Sequence, residues 1–394
     1  MSGSIGLGHA SRDLAVAREL RRLSPDVSIA WLVAEPAKSL LRAAGEHVLD
    51  EEAAHEDTAS VEAAAGGFAV SLVDYMAKAA RTWVENMLLF ARVTRGERYD
   101  LVIGNEAYES AIALVWLPLR RRPPFVILFN FLGFDALAPG LRERVGVWLV
   151  DQLWVQTSRR LARRPDTLQL FVGEPEDIPD ERFGPLLPNR RAHARAFFRF
   201  CGYDVPFDPA ELADRGELRR RLGYDEAPLV IASIGGTAVG RELLQLCLDA
   251  RPRLAELVPG VRLVLVCGPR LDPASLHLPD GVEARGYVPK LFEHLAACDV
   301  AVVQGGGTTT LELTALRRPF LYFPLEGHCE QEIAVAGRLA RHGAGGRMAF
   351  SATTPELLAE RIAELVGTEP DYPPIAADGA RRVAEAALRL CDGL

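Results

Sequence analysis

The sequence predicts an α/β protein built on open parallel sheets, and three observations carry that prediction. Short apolar runs alternate with longer amphipathic stretches from end to end. The runs are apolar on both faces, as strands covered by helices on two sides must be. Turns of small residues close several of them, giving the strand, glycine turn and helix order from which doubly wound sheets are made. In the first half the strand candidates are Ser28–Val33, Leu101–Gly104, Phe125–Asn130, Gln152–Gln156, Leu168–Val172 and Phe197–Cys201. In the second half they are Leu229–Ser233, Val261–Cys267, Val282–Ala284, Val300–Val303 and Pro319–Phe323. Helical periodicity lies between them at Arg12–Leu23, Arg241–Leu257 and Leu311–Leu316.

At about 150 residues per domain, 394 residues make two or three domains. Gly202, Pro206, Asp208, Pro209 and Gly216 interrupt the alternation, and a fresh strand–glycine loop–helix unit starts at Leu229. The expected layout is therefore two Rossmann-like, doubly wound halves, 1–202 and 217–375, joined by a linker over 203–216. A last helix, Asp378–Leu390, follows the prolines Pro370, Pro373 and Pro374, and the segment 376–394 is expected to pack back on the first half.

Hydrophobic residues at 49% and charged residues at 25% supply two ordinary cores and exclude disorder over most of the chain. A net charge of -8, from 45 basic against 53 acidic residues, argues against a nucleic-acid partner met by a dominant basic face. The six cysteines are scattered with no Cys-x-x-Cys pair, so they read as buried thiols of a reducing compartment. No apolar run approaches the ~20 residues of a membrane span, and no secretory signal pattern opens the chain. The expected location is cytoplasmic, with peripheral contact at the inner face of the membrane as the further expectation. The apolar stretch Phe68–Val93 reads as core helices first and as a membrane-touching or acceptor surface second, with Arg120, Arg121 and Arg122 nearby to support an anionic contact.

There are four small-residue turns, three of them directly after strand candidates, where open α/β sheets bind ligands. They are Gly3–His9, Gly235–Gly240, Cys267–Pro269 and Gln304–Glu312. Bare backbone N–H groups at a helix N-terminus make an anion site, to which the hydroxyls of Thr308–Thr310 add donors, and a diphosphate is a natural occupant. Gly240 is followed by Arg241-Glu242, so the second turn lacks the Lys-Ser/Thr of a nucleoside-triphosphate loop. The N-terminal glycines could imitate a dinucleotide fingerprint with Glu35 on the ribose, which leaves the second-half loops without a role. There is no Asp-x-Asp and no His/Cys cluster, so neither a metal nor another cofactor is expected.

Two segments carry a family resemblance. Gly286-Tyr287-Val288-Pro289, Gly305-Gly306-Gly307-Thr308-Thr309-Thr310-Leu311-Glu312 and Pro324-Leu325-Glu326-Gly327-His328-Cys329-Glu330-Gln331 resemble the donor-binding half of GT-B glycosyltransferases. Gly6-Leu7-Gly8-His9-Ala10 with Asp13–Ala17 resembles the Gly-Gly-His loop of the peptidoglycan N-acetylglucosaminyltransferase and its glycolipid relatives. The resemblance implies that Gly235, Gly236, Thr237, Gly268 and Gly305–Thr309 cradle the diphosphate of a nucleotide sugar. It implies that backbone near Val288 reads the base, that Glu312 accepts from ribose hydroxyls, and that Glu330 and Gln331 read the donor sugar. On the acceptor side it places Gly6, Gly8 and Asn130, with His9 as general base or as a residue that positions substrate; the base is preferred, because imidazole titrates near the working pH. Glu106 is the first choice of acid to orient His9 and Asp135 the second.

The chain also departs from the family. Gln304 stands where many relatives carry His or Arg, and Leu128-Phe129-Asn130-Phe131 stands in place of the peptidoglycan enzyme's His-Glu-Gln-Asn acceptor motif, so that enzyme's lipid-linked substrate is not implied. The expected function is inverting, metal-independent transfer of a sugar from a UDP-sugar to a hydroxyl of a glycolipid, cell-wall precursor or secondary metabolite. The alternatives are a nucleotide-sugar 2-epimerase-like enzyme and a sugar-nucleotide-binding protein without catalysis. Only Met1 and Ser2 precede the first glycine loop, so the first strand of that sheet is expected either to be missing from the chain or to be replaced by a loop built differently.

Overall fold

The computed structural model of the chain describes residues 1–2, 7–35, 37–50, 72–96, 99–117, 123–137, 139–236 and 240–393. Gly3–Gly6, Phe68–Ser71, Arg120–Arg122 and Thr237, on which sequence expectations fall, lie outside them. The chain divides into two compact units. The first runs to Pro206 and resumes at Ala376; the second is Phe207–Ile375.

In the first unit, β1 (Ala30–Trp31) and β2 (His47–Val48) form a parallel pair. A four-stranded parallel sheet has the order β3 (Val102–Asn105), β4 (Phe125–Phe129), β5 (Thr167–Phe171) and β6 (Arg199–Phe200). Alternate residues of β4 serve opposite faces, as the two-residue strand period requires. Phe125, Ile127 and Phe129 pack with Phe90 and Trp154, whereas Val126 and Leu128 pack with Ala15, Val16 and Val383. One face is thus covered by α3 (Leu72–Gly96), α4 (Tyr108–Trp116), α5 (Leu141–Leu161) and α6 (Arg190–Phe197); the other by α1 (Leu7–Leu23) and the terminal α13 (Gly379–Asp392). A short α2 (Ala37–Ala43) packs under α1 through Leu41. Met1 lies beside β3. Its N-terminal nitrogen donates to Ile103 O at 2.7 Å, and Asn105 N donates to Met1 O at 3.0 Å, a one-residue parallel bridge around Gly104.

The second unit is a six-stranded, wholly parallel sheet in the order β12-β11-β10-β7-β8-β9, comprising β7 (Leu229–Ser233), β8 (Arg262–Val266), β9 (Val282–Arg285), β10 (Val300–Gln304), β11 (Phe320–Phe323) and β12 (Gly346–Arg347). This is the doubly wound order with its switch point between β7 and β10. Helices α8 (Arg241–Leu257) and α12 (Pro355–Leu365) cover one face; α7 (Arg215–Leu222), α9 (Leu291–Ala297), α10 (Gly307–Ala315) and α11 (Ala336–Arg341) cover the other.

Two sequence expectations are corrected. Gln152–Gln156 is no strand: it belongs to α5, where Val147, Asp151, Trp154, Val155, Ser158 and Leu161 are buried at helical spacing. The short apolar window hid a period that only the 21-residue helix displays. The 203–216 segment, in which the boundary between the units falls, is packed: Tyr203, Asp204 and Val205 are buried in the first unit and Asp208 caps a 3₁₀ turn, Pro209–Leu212, that buries Leu212 in the second. Gly8 and His9 stand on the first turn of α1 and not on a loop.

Candidate functional site

In the first unit the candidate site gathers at the C-terminal ends of β3 and β4, against the first turn of α1. His9 Nε2 lies 3.5 Å from Glu106 Oε2. Glu106 follows β3 directly and holds φ 51, a left-handed conformation that costs a non-glycine residue about 1–3 kcal/mol and is kept where surroundings enforce it. That turn lets Glu106 Oε1 accept from Asn130 Nδ2 at 2.9 Å while Oε2 faces the imidazole. Asn130, one residue past β4, also donates to Asn105 Oδ1 at 3.2 Å, and Asn105 Nδ2 donates to Asp13 Oδ1 at 2.8 Å. Burial pushes the Asp13 carboxyl up, against the opposing pull of Ser2, the Met1 ammonium and Asn105.

Arg12 is the hub of this cluster. Its Nη1 donates to Asn130 Oδ1 at 2.7 Å and to Asp204 Oδ1 at 3.3 Å, and its Nη2 stands 3.1 Å from His9 Nδ1. Arg12, Asp13, Asn105 and Asp204 are all buried, yet none was a candidate from the sequence. The available signal was spacing: Arg12 and Asp13 follow His9 by three and four residues, one helical turn, and so share its face. Asp135 forms a bidentate pair with buried Arg190 at 2.7 and 2.9 Å. Beside Asn130 the rings of Tyr108, Phe131 and Phe134 form an aromatic run, with centroids 6.3 and 5.4 Å apart.

The second unit collects its candidates at the β7/β10 switch point. Gly235 has φ +79 and open space around its α-carbon, and Gly236 follows it in the same turn. Gly268, φ +75, lets the backbone after β8 close on that loop; a β-carbon there would stand 2.2 Å from Gly235 O. Gly305 serves packing, since its β-carbon would meet Pro324 Cα at 2.8 Å, whereas Gly306 faces open space. Gly306 is the N-cap of α10 and supplies no side-chain cap, so the first amides of Gly307, Thr308 and Thr309 form the bare helix N-terminus suited to an anion. Thr308 and Thr309 are half-buried. Thr310 is turned inward instead, donating to Gly306 O at 2.8 Å, so its hydroxyl is not among the expected ligand donors.

Glu312 is buried one turn further along α10. Glu330 opens a π-helical turn, Glu330–Val335, a geometry frequent at functional sites. Its Oε1 would stand 3.1 Å from a β-carbon on Gly307, so that glycine makes room for the carboxylate. Gln331 is buried and accepts Leu325 N–H at 2.8 Å through Oε1. Arg338, not foreseen, donates to Gly307 O at 2.8 Å and ties α11 to the start of α10. Gln304 lies against Gly240, whose absent β-carbon would be 3.3 Å from its Nε2. Val288 is half-buried against the α9 face of the core.

Residues 230–389 match the glycosyltransferase family 28 C-terminal domain. Over 92% of its length the chain is 25% identical to an uncharacterized glycosyltransferase of Methanosarcina mazei, covering 87% of that protein. It is 32% identical over 45% of its length to 45% of the UDP-N-acetylglucosamine–N-acetylmuramyl-(pentapeptide) pyrophosphoryl-undecaprenol N-acetylglucosamine transferase of Mycobacterium avium. The chain covers less than half the length of the curated relatives that it matches above 30% identity. Among solved structures, the glycotransferase of kitacinnamycin superposes with a TM-score of 0.60 at 17% identity, over 98% of this chain and 92% of that one. The chain has the GT-B fold of the solved glycosyltransferases it resembles, is similar in sequence to glycosyltransferases, and over residues 230–389 carries the family 28 C-terminal domain.

Proposed function

We propose that the protein is an inverting, metal-independent glycosyltransferase that moves a sugar from a UDP-sugar to a hydroxyl of an amphiphilic acceptor. The uncapped N-terminus of α10, set between Gly235–Gly236 and Glu330 at the switch point, is the observation that supports it most. Backbone amides of Gly307, Thr308 and Thr309 hold the diphosphate, and Glu312 accepts from the ribose hydroxyls. Fixed amides aimed at the leaving diphosphate stabilise charge where it develops, which is electrostatic preorganisation. His9 takes the acceptor proton as the acceptor oxygen bonds to the anomeric carbon. The bond to the diphosphate breaks with its electron pair on the departing oxygen, and Glu106 balances the imidazolium.

Two features of the first unit support an amphiphilic acceptor. The Tyr108, Phe131 and Phe134 rings adjoin Asn130, offering apolar surface beside the base. Leu141, Val145, Leu149 and Leu153 follow one another at four-residue spacing along α5, all exposed, with Arg142 and Arg144 at its start. An exposed apolar stripe with basic flanks is suited to the surface of an anionic membrane. On α3, Leu89 and Phe90 are buried, whereas Val84 and Leu88 are exposed. Among the described residues no helix is long and apolar enough to cross a membrane.

Thermal-shift titration with UDP, TDP and GDP tests the donor assignment: UDP is expected to stabilise the protein, and no response to any of the three refutes a donor site. With a UDP-sugar and an acceptor found by mass-spectrometric screening, His9→Ala is expected to lower transfer by roughly 10²–10⁴-fold. An unchanged rate refutes the base. Conversion of the UDP-sugar to its epimer without acceptor replaces transfer by epimerisation.

A further inference from the structure

We propose that Arg338 is a positioning residue of the donor site, which clamps the carbonyl side of the first turn of α10 and so keeps the amides of Gly307, Thr308 and Thr309 turned toward the diphosphate. The inference rests on reading that helix N-terminus as the diphosphate site, and it assigns what holds the turn in shape.

The turn has little hold of its own. It starts from Gly305, Gly306 and Gly307 without a side-chain cap, and the bond that opens it, Thr310 N–H to Gly306 O, is long at 3.3 Å. A cap on the amide side would occupy the donors that a ligand needs. The turn is held from the opposite side instead. Arg338 Nη2 donates to Gly307 O at 2.8 Å and to Thr310 Oγ1 at 3.4 Å, while Thr310 Oγ1 donates to Gly306 O at 2.8 Å. Thr310 and Arg338 are both buried, so this lock lies on the inner side of the turn. A guanidinium has donors and no acceptor, so it grips carbonyl and hydroxyl oxygens without competing for the amides. Amides fixed in this way need no reorganisation as charge develops on the leaving diphosphate.

The π-helical turn is what brings Arg338 to this place. Glu330–Val335 runs directly into α11, and Arg338 lies eight residues after Glu330. In an uninterrupted α-helix of about 3.6 residues per turn, positions eight apart point ~80° away from each other. The extra residue that a π turn takes up reduces this to ~20°, so both side chains face α10. Their contacts agree, because both meet Gly307. Glu330 Oε1 would stand 3.1 Å from a β-carbon there, Val335 Cγ2 would stand 3.7 Å from it, and Arg338 holds the carbonyl. One helix thus carries the carboxylate expected at the donor sugar and the clamp on the phosphate-binding turn.

The test compares UDP, by calorimetry, with uridine, by ligand-detected NMR, and uses thermal melting to establish folding. Arg338→Met removes the donors and is expected to weaken UDP by about 10- to 100-fold, yet leave uridine within about twofold, because Glu312 sits one turn beyond the clamp. Arg338→Lys, still able to donate to Gly307 O, is expected to recover part of that loss. Thr310→Val keeps the side-chain shape, loses the hydroxyl of the same lock, and is expected to weaken UDP by about two- to tenfold with uridine unchanged. It decides the matter should Arg338→Met not fold. Unchanged UDP binding in Arg338→Met, or in Thr310→Val in that event, overturns the proposal. Equal losses for UDP and uridine, the mark of a merely structural role, overturn it as well. Failure of the wild type to bind UDP refutes the donor-site reading itself, an outcome that needs no variant.

Discussion

Replacing Gly268 by alanine tests how closely the donor loops of the second unit are built against each other. Two costs apply. At φ +75 an L residue loses about 1–2 kcal/mol against glycine. The new β-carbon would also stand 2.2 Å from Gly235 O, a backbone atom that cannot rotate away, and such overpacking costs about 1–3 kcal/mol. Together they come to about 2–5 kcal/mol, a large part of the ~5–15 kcal/mol of a typical domain. Gly260→Ala is the control, since Gly260 has φ +77 and nothing within 4 Å of a built β-carbon, so it bears the conformational cost alone. Thermal melting separates the two variants, because each kcal/mol lowers the midpoint by roughly 2–4 °C in a unit of this size. Gly268→Ala should melt several degrees below Gly260→Ala. It should also lose most of the stabilisation by UDP, because relief of the clash requires the Gly235 turn to move. Equal melting of the two variants, or undiminished stabilisation of Gly268→Ala by UDP, would refute the close packing of these loops.

Three further outcomes are expected. Asp151 is fully buried and accepts Phe134 N–H at 3.0 Å; burial pushes its carboxyl up to about 8, with Arg190 pulling the other way. The folded state therefore retains a proton that the unfolded state releases near pH 4, and this stabilisation is lost as pH rises toward 8, with a slope of up to about 1.4 kcal/mol per pH unit. Urea melts of Asp151→Asn should show a flatter dependence between pH 5 and 8 and a gain over wild type at pH 8; parallel curves would mean that Asp151 is ionised throughout. Glu312→Gln should weaken UDP binding by about 10- to 100-fold, the value of a hydrogen bond to a charged group, yet leave 2′,3′-dideoxyuridine diphosphate unaffected. Equal losses for both nucleotides in calorimetry would remove Glu312 from the ribose. Leu149→Asp should weaken flotation with phosphatidylglycerol vesicles by about tenfold or more without changing the response to UDP; unchanged flotation would exclude the α5 stripe as the membrane face.

The alternation of two-sided apolar runs made both sheets legible, because parallel strands buried on both faces leave a signal in every residue. It failed where that signal was short. The two-residue strands β2 and β12 have no period to detect, and Gln152–Gln156 is long enough to look extended but too short to show its helical turn. The candidate site was legible only as far as chain order reaches. Glu106 could be named because it directly follows a strand, and His9 because it closes a glycine pattern. Arg12 and Asp204 could not, since a charged residue on an amphipathic helix or in a Pro-rich crossing reads as solvated until the fold brings the two together across 192 positions.

Periodicity reports where apolar groups are buried, so it is silent where a fold buries ionisable side chains. In the first unit those silent places are connected in purpose. Arg12 touches the imidazole, Asp204 pairs with Arg12, and Asp13 joins the same cluster through Asn105. Asp151 and Arg190 act further along the same chain: Asp151 accepts Phe134 N–H, while Arg190 donates to Phe134 O at 2.7 Å and clasps Asp135. They thus fasten the far end of the turn whose near end is Asn130. Asp135, the second choice of orienting acid for His9, takes part in this second clasp. Two clusters of buried ionisable side chains therefore anchor the two ends of one short loop, and Asn130, at its near end, carries hydrogen bonds from the loop to both partners of His9, Glu106 and Arg12. A buried charge costs stability unless it is paired. That the unit concentrates such pairs at both ends of this loop favours a role in fixing Asn130, and through it the dyad, over a role in stability alone.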